Sequence, residues 1–270
     1  RIVAELVAPR TDSHVWSDRY DRGLEDIFEV QSDVAARIAT AVERELSLAD
    51  RMRLQRRGTA VPEAYDLYLK ARHLWNQRTE GSVSDSLKYF RGALEIDPTF
   101  ALAFTGLAEA HVVLAIYGAQ APREASEAAR AAAQDSLAID PQLGEAVAAR
   151  ASVQAIYDWK WLDAERGFQH ALSLAPSYAT ARQWYALNVL TPQGRFEEAT
   201  EELEKASELD PASSSIAVGR GIIAFYARDL HKAAGSFEVV VRSHPSFALG
   251  HYFLGQCRTA LGEPAKGIEA

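Results

Sequence analysis

The feature that most constrains the fold is a proline that returns at nearly constant intervals. Pro98, Pro141, Pro176, Pro211 and Pro245 are separated by 43, 35, 35 and 34 residues. Proline cannot continue an α-helix, and it pushes the preceding residue out of the helical region. The spacing therefore predicts a repeated unit in which each proline ends a helix.

Small residues stand at two fixed offsets from each proline, and a large residue usually stands between them. Small residues let two helices approach closely, and the large residue fills the gap between neighbouring units. Twelve residues before the prolines lie Ser86, Ala129, Ala164, Ala199 and Ala233; eight before lie Phe90, Ala133, Phe168, Leu203 and Phe237; ten after lie Ala108, Ala151, Ala186, Gly221 and Gly255.

This pattern resembles the tetratricopeptide (TPR) repeat, in which two helices recur about every 34 residues. The resemblance extends from Pro62 to Ala270, with five units in register. It implies a mainly α fold, a right-handed superhelix of five full repeats and a partial sixth. The first helices depart from the family pattern at one bulky position, where Phe104 fits but Arg182 and Ala217 do not.

The repeats differ in length. The second repeat carries roughly nine extra residues near 117–122, and such insertions map to the turn between helices or lengthen the helices. Repeats three and four carry one extra residue each. The turn of repeat three, YDWKW, contains Trp159 and Trp161, and we expect at least one of them to pack into the next repeat, because tryptophan buries much apolar area.

The first 57 residues follow a different pattern. Residues 1–20 are rich in strand formers around turn residues 9–13, which predicts a β-hairpin, and residues 25–54 carry apolar side chains at helical spacing. Two strands and one helix bury too little surface to be stable alone. We therefore expect a truncated α/β domain whose earlier strands lie upstream, in a chain whose two ends both look cut.

The segment from His14 to Ile38 resembles the end of the TolB-like α/β domain of bacterial multidomain signalling proteins. In those proteins it stands between TPR repeats and an output module, such as a winged-helix DNA-binding domain, a class III nucleotide cyclase or a kinase. The predicted organisation is the C-terminal part of a TolB-like domain at 1–57, a linker at 58–62 and a TPR solenoid at 63–270.

Charge and cysteine content limit the partners. The net charge of −8 argues against a nucleic-acid surface, which is normally basic. A single cysteine, Cys257, cannot form an internal disulfide and fits a reducing compartment, so a cytoplasmic location is expected. There is no run of about 18 apolar residues, so we expect no membrane partner.

Motifs for chemistry are missing from the sequence. The chain has no phosphate-binding loop, no zinc-protease motif, no nucleophile elbow and no cysteine pair, and its seven histidines are scattered over different elements. We therefore expect no enzyme activity, no metal and no cofactor.

The TPR resemblance implies that the first helices line a concave surface that contacts a partner. The residues at these positions are mostly aromatic and aliphatic, which suits an amphipathic helix or hydrophobic peptide. Alternatively, several are packed core or are covered by missing parts of the chain. The candidates are Tyr65, Tyr68, Arg72, Trp75, Asn76, Thr105, Glu109, Val112, Ser152, Ile156, Gln183, Leu187, Val218, Ile222, Phe225, Tyr226, Tyr252 and Gln256.

These positions argue against one known binding mode. TPR domains that capture a C-terminal carboxylate use lysine and asparagine at inner positions, whereas Tyr68, Arg72, Thr105 and Glu109 stand there in this chain. The leading hypothesis is a non-catalytic scaffold that binds a protein or peptide partner. The alternative is a sensor or oligomerisation region that controls an upstream output domain. Separately, the exposed edge of the N-terminal hairpin is expected to pair two copies of the truncated chain into a homodimer, as an artefact of the truncation.

Overall fold

The structure, a computed structural model, describes residues 2–8, 13–20, 58–264 and 267. The chain divides into two compact units, with the boundary between Asp66 and Leu67. In the first unit, β1 (Ile2–Ala8) and β2 (Ser13–Tyr20) pair antiparallel. The predicted helix of residues 25–54 lies outside the described residues, so the TolB-like domain remains a prediction.

The part of the chain from residue 58 onward is helical. Its eleven α-helices are α1 (Pro62–Asn76), α2 (Glu80–Ile96), α3 (Ala101–Ile116), α4 (Pro122–Ile139), α5 (Gly144–Ile156), α6 (Trp161–Leu174), α7 (Ala179–Tyr185), α8 (Phe196–Leu209), α9 (Ser214–Tyr226), α10 (Leu230–Ser243) and α11 (Ala248–Ala260), and a π-helical turn, Ala186–Leu190, continues α7. The even-numbered helices end two residues before Pro98, Pro141, Pro176, Pro211 and Pro245, as the proline spacing predicts.

The turn inside each helix pair contains one residue with left-handed backbone conformation. This conformation ends a helix because it lets the following amide bond back to the last carbonyls. The Asp229 N–H, for example, donates to the Ala224 oxygen at 3.0 Å. Within the described residues, those with positive φ are Arg78, Gly118, Trp159, Gly194, Arg228 and Gly262, at 56°, 74°, 55°, 74°, 66° and 83°.

The extra residues of the long repeats have identifiable places. Compared with α9, α10 and their turn, the second repeat has three more residues in α3, two more in the turn and four more in α4. In repeat three the turn is one residue longer, and the Lys160 N–H reaches six residues back to Gln154. In repeat four the π-helical turn absorbs the extra residue, since each of its hydrogen bonds spans five residues instead of four.

The first and second helices of each pair differ in how they are packed. From α2 onward each helix packs on the next along the chain, and α3 also contacts α5, α5 contacts α7 and α9 contacts α11. The second helices therefore bury a single stripe; in α8 it consists of Ala199, Leu203 and Ala206, at helical spacing. The first helices contact one another and form an inner layer. Any binding site on the concave side is therefore lined by residues of the first helices.

The predicted small and large residues meet in the core. Phe90, Phe168 and Phe237 are fully buried. An added Cβ at Gly221 would lie 2.4 Å from the Phe237 ring, and one at Gly106 would lie 2.3 Å from the Phe90 ring. Glycine is required at these two places because the aromatic ring of the neighbouring helix lies directly against the backbone.

We expect Gly221→Ala to lower the free energy of unfolding by about 1–2 kcal/mol, because overpacking against Phe237 outweighs the gain in helix propensity. The matched control is Gly235→Ala, also inside a helix, where an added Cβ meets nothing within 4 Å. That change should raise stability by up to about 1 kcal/mol. Denaturant unfolding followed by circular dichroism measures both, and equal stability of the two variants would contradict this packing.

Candidate partner-binding groove

The inner layer of the second unit encloses an open groove with a volume of about 730 Å³. The turn between α1 and α2 and residues of α3, α5, α7, α9 and α11 line it. Its walls are mainly apolar, with a few polar groups among them. The lining residues are Arg78, Glu80, Val113, Ile116, Tyr117, Gly118, Ile156, Gln183, Trp184, Leu187, Asn188, Ser215, Val218, Ile222, Tyr226, Phe247, Ala248, Leu249, Tyr252 and Phe253.

Part of the predicted contact set lies in this groove. Val218, Ile222 and Tyr226 are four residues apart, so they share one face of α9. Tyr226 and Tyr252 are the exposed aromatic side chains among them, at 54% and 59% exposure. The predicted residues that line the groove are Ile156, Gln183, Leu187, Val218, Ile222, Tyr226 and Tyr252.

Two irregularities of the repeats contribute to the groove walls, and of the residues they supply only Leu187 was predicted from the regular register. The lengthened α3 extends to Ile116, which lines the groove together with Val113 and Tyr117. The π-helical turn carries Leu187 and Asn188 into the lining. The sequence indicates both irregularities through the lengths of the repeats, because the second and fourth repeats contain residues that have no counterpart in an ordinary repeat.

The polar groups on the groove wall are partly satisfied by one another. The Gln183 side-chain amide donates to the backbone oxygen of Ser215 at 2.5 Å, and the Ser215 hydroxyl donates to the Gln183 carbonyl at 3.4 Å. Both residues are buried. This stretch of wall therefore presents little hydrogen-bonding capacity to an occupant.

Three residues of different repeats form a buried ionic cluster. The Arg72 guanidinium donates to a Glu109 carboxylate oxygen at 2.5 Å, and the Tyr178 hydroxyl donates to the other carboxylate oxygen. Glu109 is only 1% exposed. Burial and the Glu109 charge raise the pKa of Tyr178 well above its usual value. Burial lowers the pKa of Arg72, but the attraction of Glu109, Tyr68 and Tyr178 and the hydrogen bond to Glu109 together leave that pKa raised. Arg72 and Glu109 were predicted as partner contacts, and the structure places them in this cluster.

Other predicted contacts lie inside the packed array. Trp75, Thr105, Val112 and Ser152 are buried, and Thr105 hydrogen-bonds Ser136 at 2.9 Å. The remaining candidates are partly or fully exposed and lie outside the groove lining: Tyr65, Tyr68, Asn76, Phe225 and Gln256. Their role as partner contacts stays a prediction.

Arg78 lines the groove but was not among the predicted contacts. It is the left-handed residue of the first turn and is 6% exposed. Its guanidinium carbon lies 3.5 Å from the Trp75 ring centroid, and that of Arg72 lies 4.3 Å from the same ring. Burial lowers the pKa of Arg78 to about 10, so the side chain is still charged at neutral pH.

The expectation that one tryptophan of YDWKW packs into the next repeat is wrong. Trp159 and Trp161 are 75% and 39% exposed, and their rings stack on each other with centroids 6.4 Å apart. Trp159 stands at the left-handed position of this turn and Trp161 is the first residue of α6, so the two rings lie beside each other at the turn.

Among the described residues, no group of three or more histidine, cysteine, aspartate or glutamate side chains is arranged to hold a metal ion. None of the helices in that part of the chain is both long and apolar enough to cross a bilayer.

No protein-family model matches the chain. Two curated relatives match parts of it. The putative adenylate cyclase 3 of Rhizobium meliloti (strain 1021) is 39% identical over 116 residues, which cover 43% of this chain. The transcriptional regulator HilA of Salmonella typhimurium is 23% identical over 160 residues, which cover 59% of this chain. The matches span only 19% and 29% of the lengths of these relatives.

Solved structures match the fold over most of the chain. TTC0263, a thermophilic TPR protein of Thermus thermophilus, aligns with a TM-score of 0.54 and 16% identity over 72% of this chain and 98% of that one. A structure of IFIT1 aligns with a TM-score of 0.61 and 14% identity over 91% of this chain and 64% of that one. The helical part of this chain therefore has the fold of tetratricopeptide-repeat proteins.

Proposed function

We propose that this chain is a non-catalytic protein-interaction module that binds an apolar segment of a partner protein in the groove. The observation that carries the proposal is the pair Tyr226 and Tyr252, more than half exposed in a concave and mainly apolar site. Tyrosines that bury their rings against a partner contribute strongly to binding, because they offer a large apolar area at low conformational cost.

The composition of the walls favours a peptide or helix as the occupant. The apolar lining residues come from successive first helices, so a segment of several residues can contact α5, α7, α9 and α11 at once. Helix-in-groove recognition uses such a row of pockets for side chains on one face of the bound helix. The fold alone does not determine this function, since many functions share one fold.

The predicted contacts then divide into two groups with different roles. Ile156, Leu187, Tyr226 and Tyr252 contact the partner, whereas Val218 and Ile222 line the groove with only 1% and 8% of their surface exposed. Arg72 and Glu109 instead hold first helices together, because their charges are buried against each other and against Tyr178. Substitutions in the first group should lower the affinity for the partner, and substitutions in the second group should lower the free energy of unfolding.

A second candidate function is control of an output domain elsewhere in a longer protein, in the cytoplasm. The matched regions of the putative adenylate cyclase and of HilA favour it, because both relatives are several times longer than their matches. The resemblance of residues 14–38 to a TolB-like domain points the same way. In this case, binding of a partner in the groove changes the activity of the output domain. Alternatively, two copies of the repeat array associate and bring two output domains together.

Sedimentation of the full-length protein tests the second candidate. Control through self-association predicts a homodimer at micromolar concentration. A strict monomer under these conditions would exclude the dimerisation form of the proposal. A groove-binding peptide added to the same samples should shift the association if the groove is the sensor.

Peptide selection tests the groove. Peptides of about 12 residues selected from a displayed random library on this chain should be rich in apolar residues. Tyr226→Ala and Tyr252→Ala should each weaken their binding about 5- to 30-fold, measured by titration calorimetry. The control is Tyr89→Ala, a 37% exposed tyrosine on α2 outside the groove lining, which should leave affinity unchanged. Equal effects of all three changes would contradict the groove assignment.

Glu109→Gln tests the structural role of the buried cluster. It should lower the free energy of unfolding by about 3 kcal/mol, because Arg72 loses the charge that compensates its own. Glu127→Gln is the control: Glu127 pairs with Arg123 at 3.2 Å in solvent, with side chains 66% and 89% exposed, so the change should stay within about 0.5 kcal/mol. A Glu109→Gln protein of normal stability that no longer binds the selected peptides would instead make Glu109 a partner contact.

A further inference from the structure

Arg78 differs from the other arginines that are at least partly buried. Between residues 58 and 264, each of the others forms an ion pair with a carboxylate: Arg72 with Glu109, Arg130 with Asp158, Arg182 with Glu202, Arg195 with Glu165 and Arg258 with Glu238. Arg78 is the most buried of the set, and among the described residues its guanidinium has no hydrogen-bond acceptor and no ion-pair partner.

The surroundings of Arg78 are rich in donors and poor in acceptors. Arg72 and Arg78 both lie over the ring of Trp75. The carboxylate of Glu109 is already bound by Arg72 and Tyr178. The indole N–H of Trp75 is buried and has no acceptor among the described residues. Two guanidinium groups therefore share one carboxylate, and the cluster carries a surplus positive charge at the groove wall.

Arginine is also unfavourable at this position for backbone reasons. A side chain in the left-handed conformation is strained, and glycine stands at the same place in three of the six turns, at 118, 194 and 262. A buried charge without a partner adds a further cost, which falls when an opposite charge binds. An anionic ligand at the groove would relieve that second cost.

We infer that Arg78 binds the carboxylate of an aspartate or glutamate side chain within the apolar segment that occupies the groove. The planar guanidinium offers paired N–H donors that match the two oxygens of a carboxylate. This inference rests on the proposed function and names the partner's chemistry: an apolar segment with one acidic residue.

Charge complementarity selects a single acidic side chain over a polyanion. The chain has a net charge of −8, and Glu80 also lines the groove near Arg78, so a polyphosphate would be repelled. A single carboxylate flanked by apolar residues pairs with Arg78, while the apolar residues beside it in the peptide pack against Val113, Ile116 and Tyr117. These side chains offer no further donors except the phenol, so the site suits a side-chain carboxylate better than a chain end with its free carboxylate and backbone amide.

The experiment uses peptides selected as above, with both ends of each peptide fused or blocked so that only side chains can supply a carboxylate. Binders that depend on Tyr226 and Tyr252 should contain an acidic residue between apolar ones. Replacing that glutamate with glutamine, in an amidated synthetic peptide, should weaken binding to this chain about 10- to 100-fold in titration calorimetry.

Arg78→Gly removes the side chain without straining the turn, because glycine is the residue that this backbone conformation favours. It should weaken binding of the glutamate peptide by a similar factor and leave binding of the glutamine peptide almost unchanged. Arg228→Gly is the matched control, since Arg228 occupies the same turn position, is exposed and does not line the groove. It should change neither affinity.

The outcomes separate the two proposals. Peptides that need Tyr226 and Tyr252 but bind equally well with glutamine, or equally well to Arg78→Gly, overturn the inference and leave the groove function standing. The glutamine versions of the same peptides are also made with a free C-terminus, and binding that a free C-terminus restores in place of the glutamate also overturns it. Failure to obtain any tyrosine-dependent binder overturns both. The glutamate-to-glutamine comparison on the unaltered chain decides the question even if Arg78→Gly does not fold.

Discussion

The contact on which this structure depends is a glycine of one helix pressed against an aromatic ring of a neighbouring helix. Gly221 against Phe237 and Gly106 against Phe90 bring helix backbones so close that a single added methyl group would overlap the ring. Each pair of helices has an apolar face that only the neighbouring pair can cover, so the contact must recur from repeat to repeat. Because the interior is close-packed, the recurrence also determines how the first helices lie side by side, and their inner faces line the groove.

Departures from strict repetition give the groove its particular walls. A longer α3 adds Val113, Ile116 and Tyr117, and the π-helical turn of repeat four adds Leu187 and Asn188. Insertions are tolerated in these places because they lie at the ends of helices, where the close inter-helix contacts are not disturbed. The regular part of the sequence thus builds the scaffold, and the irregular part makes its concave surface specific.

Buried charge has two different consequences in neighbouring positions. Glu109 is satisfied by Arg72 and Tyr178, so it ties helices of three repeats together. Arg78, over the ring of Trp75, lacks such a partner in the described part of the chain. In a low-dielectric site a satisfied network rigidifies the protein, whereas an unsatisfied donor makes the binding of an acceptor more favourable.

The sequence by itself determined the helix pairs, their ends and their register, because a proline stops a helix and a small residue permits close packing whatever surrounds it. Helical periodicity likewise placed Val218, Ile222 and Tyr226 on one face. It did not separate the exposed Tyr226 from Glu109 or Thr105, which are buried, since their partners Tyr178 and Ser136 are 69 and 31 residues away. Only the tertiary structure decided which positions stay exposed. It alone revealed Arg78, because its burial and its lack of an ion pair within the described part of the chain arise when helices pack together.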